Sequence, residues 1–266
     1  MKAAEIIELS DLNYAEAMRD LSRRAGGVVH DEDGLLLFAG GHPLPVLANG
    51  VMRTKSRLAA GDVLTRTREF FAAHGRGFTV LIRAHADADL AAAATDAGLI
   101  ALGEMPAMVL ERRLPDGVPP AGVELRRVTT DDDVAAYGEV MGAAYATYGM
   151  PTDVLPGMLN CLATLCAPHI VAFIAWLDGA PVAGAMTVVT HGVAGVYWVG
   201  TTPEARGRGL AELCTRAAGN AGFDLGGRIA ALQASPMGEP VYRRMGYVEV
   251  TRYPYLVQLD PPPRAA

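Results

Sequence analysis

Lysine is almost missing from this chain: Lys2 and Lys55 are the only two in 266 residues, and the other basic residues are arginines. No basic arm exists, and the net charge is −6. Phosphate binding along a nucleic acid needs a concentrated positive field, so nucleic acid is not an expected partner. Cysteine is scarce as well, limited to Cys161, Cys166 and Cys214. An odd count, with two thiols five residues apart in a helical stretch, is neither a disulfide framework nor a zinc ligand set. Reduced thiols in a cytoplasmic protein without a metal are expected. Long apolar runs are missing too. The strongest, Ile170 to Leu177, stops at Asp178, far below the roughly 18 residues that span a bilayer, so no membrane partner is expected. Met1 to Met18 is broken by Lys2, Glu5, Glu8, Asp11 and Glu16, which does not suit a secretory leader.

What is present is a core-forming composition, 51% hydrophobic and 20% charged. At this length the chain makes one large domain or two ordinary ones, and it needs no metal or disulfide to be stable. Leu114 to Gly122 contains three prolines and two glycines in nine residues, a composition that reads as a linker. Before it, Phe78 to Arg83 reads as a strand, Ala86 to Ala97 as a helix ended by Gly98, and Ala107 to Arg112 as a strand. After it, Val123 to Val128 alternates as a strand. Thr130 then caps a helix running to Tyr145, with Asp131 to Asp133 in its first turn, where the helix dipole favours acidic groups. Val171 to Leu177 and Pro181 to Thr190 form a hairpin across Asp178-Gly179, a pair that tolerates positive φ. A strand from Val193 to Gly200, a helix from Ala205 to Asn220, a strand from Arg228 to Ala234, a short helix from Glu239 to Met245 and a strand from Tyr247 to Leu259 complete the order. That is an α/β or α+β fold with a mixed sheet.

The informative stretch lies between a strand and a helix: Val199-Gly200-Thr201-Thr202-Pro203-Glu204-Ala205-Arg206-Gly207-Arg208-Gly209-Leu210-Ala211. Glycines at a helix start let a ligand approach the backbone, and the free first-turn amides with the helix dipole make an anion site. A phosphorylated ligand is expected. The stretch is not a P-loop, because no Lys followed by Ser or Thr closes it. It is a poor dinucleotide fingerprint, because Glu212 stands where a third glycine belongs.

This loop resembles the acyl-CoA pyrophosphate loop of the GNAT N-acetyltransferase superfamily, with Arg206, Gly209 and Ala211 at the three defined positions. A second hallmark of that family, Tyr, three residues, Gly, then an aromatic, is matched by Tyr242, Gly246 and Tyr247. The resemblance covers about Val123 to Leu259. It implies the GNAT acyl-CoA N-acyltransferase fold, acetyl-CoA as cosubstrate and an amine as acceptor, and it leaves a homodimer open. It also implies that Val199 and Thr201 pair with the pantetheine arm. The backbone of Arg206, Gly207, Arg208, Gly209, Leu210 and Ala211 would hold the pyrophosphate, with Arg208 adding charge, and Ser235 would hydrogen-bond in the opened sheet. Tyr242 would donate a proton or a hydrogen bond to the leaving sulfur.

No carboxylate stands in Val193 to Gly200, where some relatives place a general base. Deprotonating an α-amine of pKa about 8 at pH 7 costs about 1.4 kcal/mol, against roughly 4.6 for a lysine-type amine, so a low-pKa acceptor such as a peptide N-terminus needs a base least. His169 and His191 are remote candidates that read better as loop residues, and Tyr197 or Trp198 would line the acceptor pocket.

The first half repeats the second in outline but lacks the loop motif, since Arg53 to Arg68 holds only Gly61. The expected organisation is therefore two GNAT-like lobes: a degenerate lobe at 1–114, a linker at 115–122, a catalytic domain at 123–260 and a tail at 261–266. Direct acetyl transfer in a ternary complex is the leading expectation. A CoA-binding sensor or interaction protein without catalysis is the alternative.

Overall fold

The computed structural model describes residues 1–55 and 57–263; the end of the expected tail, 264–266, lies outside the described residues. The first half comprises α1 (Ala3–Arg24), β1 (Val28–Glu32), β2 (Leu35–Ala39), β3 (Asn49–Arg53), α2 (Ala60–His74), β4 (Phe78–Leu81), α3 (Ala88–Asp96) and β5 (Ile100–Leu110). The second comprises β6 (Val123–Arg127), α4 (Asp131–Tyr145), α5 (Val154–Met158), α6 (Leu162–Leu165), β7 (Cys166–Ala167), β8 (Ile170–Leu177), β9 (Ala180–Thr190), β10 (Val193–Thr201), α7 (Leu210–Asp224), β11 (Ile229–Gln233), α8 (Glu239–Met245) and β12 (Val248–Gln258).

All strands join one mixed sheet in the order β1-β2-β3-β4-β12-β5-β11-β10-β9-β8-β6, with β7 on β8. Alternation along a strand assigns its two faces. On β2, Leu36 and Phe38 join a core shared with α1 and α4, while Leu35, Leu37 and Ala39 join one shared with α2 and α3. On β9, Met186 and Val188 face the α1 and α4 side, and Ala183 and Ala185 face α7. Helices α1 and α4 therefore share one face of the sheet.

The pairing registers reveal a pseudo-twofold axis. Strands β5 and β12 are antiparallel neighbours centred on Met105 opposite Tyr253, with Pro106 opposite Arg252 on one side and Glu104 opposite Pro254 on the other. Each of these strands sits beside the parallel pair of the other half. β12 lies against β4, which is parallel to β3, and β5 lies against β11, which is parallel to β10. The Ile82 amide donates to the Pro254 carbonyl and the Ala234 amide to the Pro106 carbonyl, both at 2.9 Å. Matching the registers equates Gly50 with Gly195, Arg53 with Trp198 and Arg83 with Ser235. The last strand of each half has thus been exchanged into the other.

Several local expectations are met for the expected reasons. Asp178 (φ 50°) and Gly179 (φ 84°) make the tight β8–β9 turn. Thr130 and Asp133 form a reciprocal cap on α4. Others shift. α7 begins at Leu210 rather than Ala205, because Gly207 and Gly209, both at φ 76°, keep the loop out of helical geometry. β5 begins at Ile100, seven residues early, because β12 pairs with it from Ile100 opposite Val257 onward, across Pro106 opposite Arg252. Helix α1 was not foreseen. The Leu114–Gly122 segment is pinned to α7: Asn220 exchanges hydrogen bonds with the Leu114 backbone (3.0 and 3.1 Å), and Arg216 donates to the Pro115 carbonyl (3.1 Å).

Candidate active site

The site begins where β10 and β11 separate. They pair only from Val193 opposite Ile229 to Gly195 opposite Ala231, after which Leu232 and Gln233 follow β5 instead. β10 bulges between Tyr197 and Gly200 against β9, with Trp198 in the left-handed region at φ 47°. A bulge turns a strand away from its neighbour. The buried Tyr137 hydroxyl donates to the Trp198 carbonyl at 2.7 Å and holds the bulge in place. Gly200 follows because α4 crosses here: a Cβ would stand 2.9 Å from both the Ala144 Cβ and the Met141 Sδ.

The opened strands frame a cavity of 310 Å³. Val199, Thr201, Arg206, Gly207, Gly209, Leu210, Ala211, Ser235 and Tyr242 all line it, although they come from a strand, a loop, two helices and the turn after β11. Arg208 is exposed and is not among the lining residues. The loop glycines deliver the chain to α7 with the amides of its first turn unpaired, a place for an anion. The Arg206 side chain braces the loop. Its guanidinium donates to the carbonyls of Thr201 (3.3 Å) and Ala144 (3.2 Å) and to the Thr147 hydroxyl (3.2 Å), tying the loop to β10 and to the end of α4. A cation at a helix C-terminus also suits the dipole. Glu212, at the loop end, is neutralised by Arg216 at 2.7 Å.

Three phenols line the cavity, Tyr145, Tyr148 and Tyr242. Tyr242, on α8, is buried, and burial first, with Tyr247 beside it, pushes its phenol far above the ordinary range, while Thr215 acts in the opposite direction. Tyr145 is raised mainly by burial and also by Tyr242 and Tyr148. Tyr148 donates to the Ser235 hydroxyl at 3.1 Å across the mouth of the opening. Ser235 in turn accepts the Gly238 amide at 3.2 Å. Tyr145 and Tyr148 carried no signal in the sequence beyond being aromatic near a helix end. Tyr197 and Trp198 both pack in the core, Tyr197 donating to Asn13 of α1 at 2.6 Å and Trp198 lying 6.0 Å from the Tyr145 ring. Neither lines the cavity. His169 pairs with Asp20 at 2.8 Å, and His191 lines a different groove.

That groove, of 660 Å³, lies on the α1 side of the first half and takes in Arg53 and Arg83, the counterparts of Trp198 and Ser235. The space between those two positions, open in the second half, is filled by charge. Arg53, where Trp198 stands in the second half, is 1% exposed and donates to Asp87 (2.9 Å) and Asp89. Arg83, in the place of Ser235, donates to the same Asp87 at 2.8 and 2.9 Å. A neutral amide-rich arm could not displace this buried cluster without leaving ions unpaired.

The acetyltransferase (GNAT) domain family matches residues 111–234. No curated protein sequence matches the chain. Among solved structures, a GCN5-related N-acetyltransferase from Kribbella flavida is similar over 95% of both chains at 24% identity, with a TM-score of 0.71. A GCN5-related N-acetyltransferase from Sphaerobacter thermophilus covers all of this chain with 95% of its own, at 14% identity and TM-score 0.60. A tandem GNAT protein from the clavulanic acid biosynthesis pathway covers 94% of each chain at 14% identity and TM-score 0.58. The GNAT fold thus extends over the whole chain. Among the described residues no helix is long and apolar enough to cross a membrane, and no cluster of His, Cys, Asp or Glu could hold a metal ion.

Proposed function

We propose that this chain, a GNAT protein with its acetyltransferase domain at 111–234, is an acetyl-CoA-dependent N-acetyltransferase acting on a primary amine, in a small molecule or at a peptide N-terminus. The observation that carries the reading is the cavity between the diverging ends of β10 and β11, which gathers both sequence motifs at the start of α7. In this reading 123–260 is the catalytic domain and 1–114 a degenerate lobe joined by 115–122, all of it cytoplasmic.

The donor's pantetheine arm would lie along the free edge of β10 at Val199 and Thr201, its pyrophosphate on the amides from Arg206 to Ala211, and Ser235 would meet the arm from the opposite side. The amine attacks the thioester carbonyl, and the tetrahedral adduct collapses to an amide and the CoA thiolate. The raised pKa of Tyr242 refines its role. A phenol held well above its usual value gives up its proton less readily to a thiolate whose conjugate acid has pKa about 8.5. Tyr242 therefore holds the developing thiolate by a hydrogen bond, and the proton lost by the amine goes to water. With no carboxylate among the described residues at this end of the cavity, an acceptor with a low amine pKa suits the site best.

The test is direct. Acetyl-CoA with a panel of primary amines, including α-amino amides and aliphatic amines, should release free thiol in proportion to acetylated product. Stabilisation by CoA with no acetylation across the panel would replace this reading with that of a CoA-binding sensor.

A further inference from the structure

The pseudo-twofold axis carries a consequence for the amine. The turn between β9 and β10 reaches across the sheet to the first half: His191 lines the groove that also contains Arg53 and Arg83, the counterparts of Trp198 and Ser235. The same rotation equates the β2–β3 connection, residues 40–48, with that turn and directs it towards the second half. This connection is long where its counterpart is a two-residue turn, and it is firmly built. Asn49, fully buried, donates to the carbonyls of His42 (2.9 Å) and Leu44 (2.7 Å). Thr79 donates to Pro45 at 2.9 Å, and Arg76 donates to the Gly40 carbonyl and to Asn49. Leu47 is held at φ 66°, a conformation a branched apolar residue adopts only under constraint.

Its contacts agree with the symmetry. His42 Nε2 lies 3.9 Å from Asp153, five residues beyond the Tyr148 that bonds Ser235. Leu44 and Leu47 pack on a core cluster that runs through both halves, from Leu36, Phe38 and Met52 to Tyr197 and Trp198. We infer that residues 40–48 of the first half, which lie outside the lining of the 310 Å³ cavity but reach Asp153 through His42, wall the approach of the acceptor on the α4 side of the bulge, so that the amine site is built by both lobes. Leu44, Leu47 and Met150 suit an amine carried on an apolar body, with the His42–Asp153 pair at the rim. The inference rests on the reading of that cavity as the donor site.

A thioester analogue tests it without a known acceptor. Bromoacetyl-CoA places an electrophilic carbon where the acetyl group would be. A nearby thiol displaces bromide, forming a sulfur–carbon bond and releasing its proton to solvent. In the full-length chain, His42→Cys should be alkylated at position 42 at least about tenfold faster than Lys55→Cys at position 55, which lines the other groove. Excess CoA should suppress the reaction, as read by peptide mass spectrometry with Cys161, Cys166 and Cys214 as internal background. Leu44→Cys repeats the test should His42→Cys melt early. Equal rates at positions 42 and 55, or labelling that CoA does not suppress while CoA still raises the melting temperature, overturns the inference. If CoA fails to stabilise the wild-type chain, the donor-site reading falls first, and this one with it.

Discussion

Replacing Tyr242 by Phe removes one hydroxyl and little else, because the ring stays in contact with Tyr247, 5.9 Å away between centroids. If the hydroxyl holds the departing thiolate, a charge-assisted hydrogen bond of about 1.5–3 kcal/mol is lost in the transition state. That corresponds to a fall in kcat of roughly 10- to 150-fold. The ground-state thioester sulfur is a weak acceptor, so the Kd for acetyl-CoA should move by less than about threefold. The pH dependence follows from the direction of the shift. Burial raises the pKa of Tyr242, so the protonated, donating form persists upward through and beyond the ordinary tyrosine value of about 10. The ratio of wild-type to Tyr242→Phe rates should therefore be flat between about pH 6 and 9, with no falling limb of the wild type assignable to this phenol. Steady-state thiol release across that range measures both. A variant as fast as wild type refutes the role, and a ratio that collapses towards 1 above about pH 8 refutes the raised pKa.

Other perturbations separate the brace from the ligand contacts. Arg206→Ala, which removes the ties to Thr201, Ala144 and Thr147, should weaken CoA binding on the order of tenfold or more. Arg208→Ala should weaken it by no more than about threefold, and less in high salt, as titration calorimetry would show. Gly200→Ala forces a methyl against Met141 and Ala144, and should cost roughly 1–3 kcal/mol in chemical denaturation. Asp87→Asn leaves Arg53 and Arg83 partly uncompensated in the closed counterpart site. It should cost about 3 kcal/mol and lower Tm by about 6–12 °C in calorimetry, without changing CoA affinity.

The second half was legible because its signals are local. A loop with two glycines before an amphipathic helix, and a tyrosine four residues before a helix-ending glycine, can be read from adjacent positions, and the structure brings both to one cavity. The first half was harder for physical reasons. Helix α1 buries Ser10, Asn13, Ala15 and Ala17 as well as Ile6, Tyr14 and Leu21, because it packs closely against the sheet, so its buried face is not an apolar stripe. Asn13 shows why polarity misleads there: its amide donates to the Val188 and Val193 carbonyls and to the Thr190 hydroxyl across the halves. The exchange of β5 and β12 is a long-range pairing that no window of sequence contains. The motif's Arg206 illustrates a further limit. Spacing identified the position, but only the fold shows its guanidinium holding α4 to the loop.

The central claim is that the second half holds one donor site and that charge has closed its counterpart in the first. Isothermal titration of the purified chain with CoA measures this most directly. The account predicts saturable binding at one CoA per chain. Two sites would contradict the closure by Arg53, Asp87 and Arg83, and no binding would contradict the donor site itself.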